Sequence, residues 1–201
     1  MFAKTKEERL RGSVSTLRSA LRVAVIVFHE DEGSVLYTKL KRAAAERIGI
    51  SYEPVEYSLT QPVSAIVRDL RKVSSDPDIT GVMVQKPAKE VWQQYNPSGS
   101  KNTPDEEFRF WWLKITDAID PAKDVDCLTD NNLKSLDRLL PATVKACLFI
   151  LDEAQRVRGI TDNEWKQKKV VILGRSDIVG KPLFQLLSTE FTEVYNFGKD
   201  M

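Results

Sequence analysis

Residues 169–182 read KVVILGRSDIVGKP, and the rest of the chain is best read outward from them. A β-branched run, Val170, Val171 and Ile172 with Leu173 after it, stops at Gly174. Small and polar residues follow, then Gly180, Pro182 and the apolar spacing of a helix at Leu183, Leu186 and Leu187. A strand, a glycine-bounded turn and a helix with proline near its start make a βα unit suited to an anionic ligand. The first N–H groups of such a helix have no partner within it, and its dipole favours negative charge there. The spelling departs from the usual dinucleotide pattern G-x-G-x-x-G. Ser176 stands where the second glycine would be, and Gly180 falls one residue late. By itself the segment also suits the strand–turn–helix of any α/β protein.

Upstream, strands and helices alternate, which predicts a parallel sheet with right-handed crossovers. Residues 6–20 read as a charged helix. Residues 21–28 form a nearly continuous apolar run, the mark of a buried strand. A helix capped by Ser34 is expected over 34–47, a short strand over 55–58, a helix over 61–74 and a strand over 79–84. Residues 96–105, NPSGSKNTPD, read as a loop. Phe108, Phe110, Trp111 and Trp112 then anchor a helix running to 119, and 144–157 reads as a helix bridging two lobes. After it come only two strands, 169–173 and 192–196, and one helix. Two parallel strands and one helix cannot cover both faces of a sheet. Either a partner covers the rest or the chain is a fragment of a longer protein; the expectation is the fragment, with an incomplete nucleotide lobe.

Composition narrows the function classes. The 201 residues carry 30 basic and 29 acidic side chains, a net charge of +1. Nucleic-acid binding needs clustered basic charge, so no such partner is expected. No apolar run approaches the ~20 residues of a membrane span, so no membrane partner is expected. The first residues lack the apolar core of a secretion signal. Cys127 and Cys147 form no metal or disulfide pattern. A cytoplasmic location follows as the default.

Four further segments carry candidate chemistry. Tyr37 and Lys41 lie four apart, so they share one face of a helix that follows the first strand. Parallel sheets bind ligands at the carboxyl ends of their strands. A partly desolvated lysine there can exchange a proton near neutral pH, although a surface lysine beside a packed tyrosine fits the spacing equally well. Gln85 ends the strand GVMV and could hydrogen-bond a lysine ammonium, or simply terminate the strand. Asp126, in DPAKDVD, could accept two hydrogen bonds from an amino-pyrimidine edge, or belong to a charged loop. In LPATVKA, Thr143 suits a helix N-cap. His29 follows the first strand and reads as a loop histidine.

Together these segments resemble the methylenetetrahydrofolate dehydrogenase/cyclohydrolase family. Gly174, Arg175, Ser176, Ile178, Val179, Gly180 and Pro182 match its G-R-S-x-I-V-G-x-P signature. Ser34, Tyr37 and Lys41 match its S-x-x-Y-x-x-x-K. Gln85 and Pro87 match G-x-x-V-Q-L-P-L-P, from which Lys86, Ala88 and Lys89 depart. Residues 121–126 match P-x-K-D-V-D-G up to its last position, where Cys127 replaces glycine and a positive φ would be strained. Pro141 and Thr143 fit P-C-T-P-x-G loosely. The resemblance spans roughly residues 20–201.

It implies a two-lobed α/β fold. Residues 1–143 would form a three-layer αβα folate-binding catalytic domain. Residues 144–201 would supply a linking helix and part of a Rossmann-type NAD(P)-binding domain. The implied activity is NADP-dependent oxidation of methylenetetrahydrofolate to the methenyl form, then hydrolysis to formyltetrahydrofolate, with NAD also possible as cofactor. Lys41 would be the acid/base group, Gln85 its tuner, Tyr37 its positioning partner and Asp126 the pterin anchor. Tyr37, Gln85, Pro87 and Asp126 would bind the tetrahydrofolate derivative. Gly174, Arg175, Ser176, Ile178 and Gly180 would line the cofactor. Apart from the resemblance, Lys199, after the second strand of this lobe, could meet an adenosine 2′-phosphate, and Asp200 beside it argues the other way. By resemblance a homodimer is expected. Two other readings stay open: a truncated or degenerate non-catalytic binding module, and another two-lobed NAD(P)-dependent dehydrogenase. Residues 96–112 have no counterpart in the family pattern.

Overall fold

The computed structural model describes residues 2–97, 102–137 and 139–198, with side chains from residue 6 onward. The chain packs as two compact units, Met1–Val125 and Asp126–Met201. The functional division expected at 143/144 falls in the first turn of a helix of the second unit.

In the first unit, helix α1 (Phe2–Ser15) leads to strand β1 (Arg22–Phe28). Helix α2 (Glu32–Arg47), strand β2 (Ser51–Tyr57), helix α3 (Val63–Ser75) and strand β3 (Gly81–Val84) follow, and then helices α4 (Lys89–Tyr95) and α5 (Pro104–Thr116). The sheet order is β2-β1-β3, with β1 parallel to both neighbours. Residues 24–28 of β1 are all buried. Successive strand residues point to opposite faces, so both faces of β1 are covered, which explains its unbroken apolar run. The sheet is extended at β3 by Val82, whose N–H donates to Lys123 O at 2.7 Å.

Three expectations for this unit shift. The first helix ends at Ser15 instead of running to 20, and β2 starts at Ser51, earlier than the apolar residues suggested. Pairing with β1 sets the strand length, because Arg22 to Phe28 each find a partner between Ser51 and Tyr57. The third shift is in the aromatic helix, expected to run to 119 and ending at Thr116; its aromatic side chains, without a family counterpart, are core. Trp111 lies 5.2 Å from Phe28 and 5.8 Å from Trp92 between ring centroids, and Trp92 lies 5.3 Å from Phe108. Helix α5 places Phe108, Trp111, Trp112 and Ile115 on one buried side at helical spacing.

In the second unit, helices α6 (Asp130–Ser135), α7 (Ala142–Arg158) and α8 (Asp162–Lys166) precede strand β4 (Lys169–Leu173), helix α9 (Gly180–Glu190) and strand β5 (Glu193–Phe197). Strands β4 and β5 pair in parallel. Val144, Leu183, Leu187 and Phe191 form the buried centre, with Val170, Ile172 and Val194 packed against it. The alternate residues face outward: Val171 is 56% and Leu173 85% exposed. Among the described residues, this sheet has two strands and one covered face, as their sequence implied.

Candidate active site

Tyr37, Lys41, Gln85 and Pro87, four of the expected residues, lie on the elements around the three-stranded sheet and the loops that leave its carboxyl end. Asp31 occupies the N-cap position of α2 and is buried. Its Oδ2 accepts from Ser34 Oγ at 2.6 Å and from the Ala88 N–H at 3.1 Å. Ser34 Oγ also lies 3.4 Å from Lys86 O. Ser34 is thus not the cap expected of it. It sits inside the first turn and, with Asp31, ties the loop after β1 to the segment after β3.

Two turns beyond Ser34, Lys41 Nζ donates to Met83 Sδ at 3.4 Å. Gln85 Nε2 donates to the same sulfur at 3.3 Å. Gln85 is 8% exposed, and its N–H donates to Ile26 O at 2.8 Å, carrying the ladder one residue past β3. Lys41 and Gln85, distant in sequence, are therefore brought to one atom. Tyr37, one turn before Lys41, is 62% exposed. Pro87 is buried, and the two lysines that depart from the family pattern have partners. Lys86 Nζ lies 5.3 Å from the Phe108 ring centroid and 5.2 Å from that of Trp112, within cation–π range. Lys89 pairs with Asp105 at 2.7 Å.

Sequence reasoning missed Glu30. Its buried carboxylate accepts from the Leu59 N–H at 3.0 Å and from Ser58 Oγ, fastening the loop after β2 to that after β1. Burial pushes its pKa up, but the Ser58 and Leu59 hydrogen bonds outweigh this and hold it below the ordinary glutamate value. His29 Nε2 lies 3.4 Å from the same carboxylate. An acidic residue just past a buried strand was the only signal available for Glu30 or Asp31. The partners that tie them to other loops lie 28 and 57 residues away.

In the second unit, Asp126 is half-buried. Cys127, where the family pattern has glycine, adopts φ 56° while fully buried, and its thiol donates to Leu139 O at 3.4 Å. The left-handed conformation that glycine would supply is kept with a side chain that disfavours it. Thr143 is not the cap of α7. The helix begins at Ala142, with Pro141 at the N-cap and no side-chain cap.

The turn after β4 is held by its glycines. Gly174 has φ 127°, and a Cβ on Gly180 would lie 2.0 Å from Gly174 O. The start of α9 differs from the sequence expectation. Gly180 N–H donates to Ser176 Oγ at 3.3 Å and Lys181 N–H to Ser176 O at 3.1 Å. Ser176 thus takes two N–H groups that a ligand was expected to meet, and the cationic character of the turn rests on side chains. Arg175 Nε donates to Asn196 O at 3.1 Å, and Lys181 pairs with Asp177 at 2.5 Å. Arg175, Lys181, Phe184, Tyr195, Asn196 and Phe197 line an open cleft of about 560 Å³. Ile178 is half-buried within the turn. Lys199 lies outside the described residues.

Residues 1–98 match the family model for the tetrahydrofolate dehydrogenase/cyclohydrolase catalytic domain. The bifunctional protein FolD of Methanoculleus marisnigri is 29% identical over 171 residues, covering 83% of this chain and 51% of the relative. That of Staphylococcus aureus strain JH9 is 29% identical over 211 residues, covering 100% of this chain and 65% of the relative. Among solved structures, Trypanosoma brucei methylenetetrahydrofolate dehydrogenase-cyclohydrolase, complexed with NADP and an inhibitor, matches with a TM-score of 0.76. It shares 25% identity, with 100% of this chain and 63% of that chain covered. The Thermoplasma acidophilum dehydrogenase/cyclohydrolase matches with a TM-score of 0.74 at 24% identity, covering 99% of this chain and 64% of that one, a likeness of fold. The chain thus spans between about half and two thirds of these relatives' length.

Proposed function

We propose, from the match of residues 1–98 to the catalytic-domain model of the tetrahydrofolate dehydrogenase/cyclohydrolase family, that the chain is a member of that family and serves NADP-dependent oxidation of methylenetetrahydrofolate and hydrolysis of the methenyl product to formyltetrahydrofolate. The observation that carries the reading is the convergence of Lys41 and Gln85 on Met83 at the carboxyl end of a parallel sheet, where such sheets bind ligands.

Lys41 moves the proton. As an ammonium it stabilises negative charge developing on a substrate nitrogen or oxygen, and as an amine it takes a proton from attacking water. The Gln85 carboxamide, buried beside it, sets how readily Lys41 gives that proton up. Tyr37 positions the substrate next to Lys41, Pro87 shapes the binding surface, and Asp126 holds the pterin through its carboxylate. In functional terms residues 1–143 form the folate-binding catalytic part and 144–201 the nucleotide-binding part.

The turn after β4 suits NADP by its chemistry. Its cleft combines two cations, Arg175 and Lys181, with aromatic walls from Phe184, Tyr195 and Phe197. Gly174, Arg175, Ser176, Ile178, Gly180 and Lys199 are the proposed cofactor residues. When bound, the oxidised nicotinamide supplies a hydride acceptor; NAD could supply the same chemistry. A homodimer acting in the cytoplasm completes the proposal, and both parts come from the resemblance to the family.

The test is an absorbance assay of nicotinamide reduction by the purified chain with methylenetetrahydrofolate. Lys41→Met is expected to lower the rate by roughly 10²–10⁴-fold, the usual worth of a positioned acid/base group. An unchanged rate in that variant, or no folate-dependent signal from the wild type, would overturn the reading.

A further inference from the structure

We propose that Met83 is a positioning residue of this site: its thioether is the common acceptor that orients both the Lys41 ammonium and the Gln85 carboxamide. The proposal rests on the assignment of Lys41 and Gln85 made above.

The strand supplies the placement. Met83 and Gln85 are two residues apart at the end of β3, so their side chains leave the same face of the sheet. Lys41 reaches that face from α2. The two donor-to-sulfur distances, 3.4 Å from Lys41 Nζ and 3.3 Å from Gln85 Nε2, put both donors on one atom.

Thioether chemistry decides what this contact can do. Sulfur is a weak, neutral acceptor that does not titrate. A carboxylate in its place would hold Lys41 as an ammonium by direct charge attraction. The sulfur aims Lys41 without that penalty on proton release. It also fixes the amide. With Nε2 turned to sulfur, Oε1 of Gln85 is the edge presented on the opposite side. A leucine at this position would fill nearly the same volume but offer no acceptor there, removing the contact that Lys41 and Gln85 share. The division of labour is specific: Lys41 carries the proton, Gln85 adjusts it, and Met83 holds the two in register.

The experiment has two arms. The chain has three methionines, Met1, Met83 and Met201, so methyl-labelled methionine gives an NMR spectrum in which Met83 is readily assigned. Lys41→Ala and Gln85→Leu are each expected to shift the Met83 methyl resonance and leave those of Met1 and Met201 in place. In the kinetic arm, Met83→Leu is expected to lower kcat about tenfold, the loss of one hydrogen bond to a charged group, with KM changed by less than about twofold. Selenomethionine at this position retains the soft acceptor and is expected to keep kcat. A Met83 resonance indifferent to both substitutions overturns the proposal, and so does a folded Met83→Leu protein with wild-type kcat. A wild-type chain without folate activity would count against the function proposed above, while the NMR arm would still decide the contact on its own.

Discussion

Glu30 shows how much a single buried carboxylate decides. It joins the loops after β1 and β2, and its folded-state pKa lies below the ordinary glutamate value because the hydrogen bonds from Ser58 and Leu59 outweigh the effect of burial. A carboxyl group more acidic in the folded state than in the unfolded chain stabilises the fold above the unfolded value. That contribution is lost as pH falls through the folded value. Glu30→Gln is therefore expected to lower stability at neutral pH and to flatten its decline in acid, read from urea midpoints measured across pH. An acid slope identical to that of the wild type would contradict this. At the same scale, Cys127 answers a question the sequence posed. It holds a positive φ, the conformation a glycine would adopt without strain, and its thiol finds Leu139 O.

Helix α5 is the element whose start is best specified. Thr103 Oγ1 accepts from the Glu106 N–H at 3.3 Å, the Glu106 carboxylate accepts from the Thr103 N–H at 2.8 Å, and Pro104 occupies the first helical position. The helix carries Phe108, Trp111, Trp112 and Ile115 into the core, so its start and the core are coupled. Thr103→Ala is expected to cost about 1 kcal/mol of global stability by chemical denaturation. A change below a few tenths would mean the cap is dispensable. Elements of this kind are where sequence reading succeeds and fails for identifiable reasons. The aromatic helix, β1 and the βα turn at Gly174 were legible because each carries its own local pattern. Helix α4 was missed because KEVWQQY spans too few turns to show a period. The register of β2 was missed because it is set by β1, not by residues 51–54. Lys41 and Gln85 could be named from motifs, but their meeting at Met83 is a tertiary fact with no local trace. The N-terminus of α9 departed from expectation, since a serine that looked like a lost glycine accepts from its first two N–H groups through its own hydroxyl and carbonyl.

Over the whole molecule, alternation of strands and helices was enough to give two parallel sheets, and the structural likeness to dehydrogenase/cyclohydrolases agrees with it. The compact units divide after Val125, a boundary that no composition shift announces, because residues 120–129 run as one segment of mixed composition across it. The central position of β1 has a consequence in time as well as in space. The strand pairs with β2 from Ser51 and with β3 from Gly81, so two crossovers must close before its backbone is satisfied on both edges. Until then the most apolar segment of the unit, VAVIVF, presents an open edge to other copies of itself. Refolding from urea is thus expected to be slow and to lose yield to light-scattering aggregates as protein concentration rises. A yield independent of concentration would show that β1 is shielded early. The same residues that make the strand the best-buried element of the finished fold make it the most hazardous one while the fold is being made.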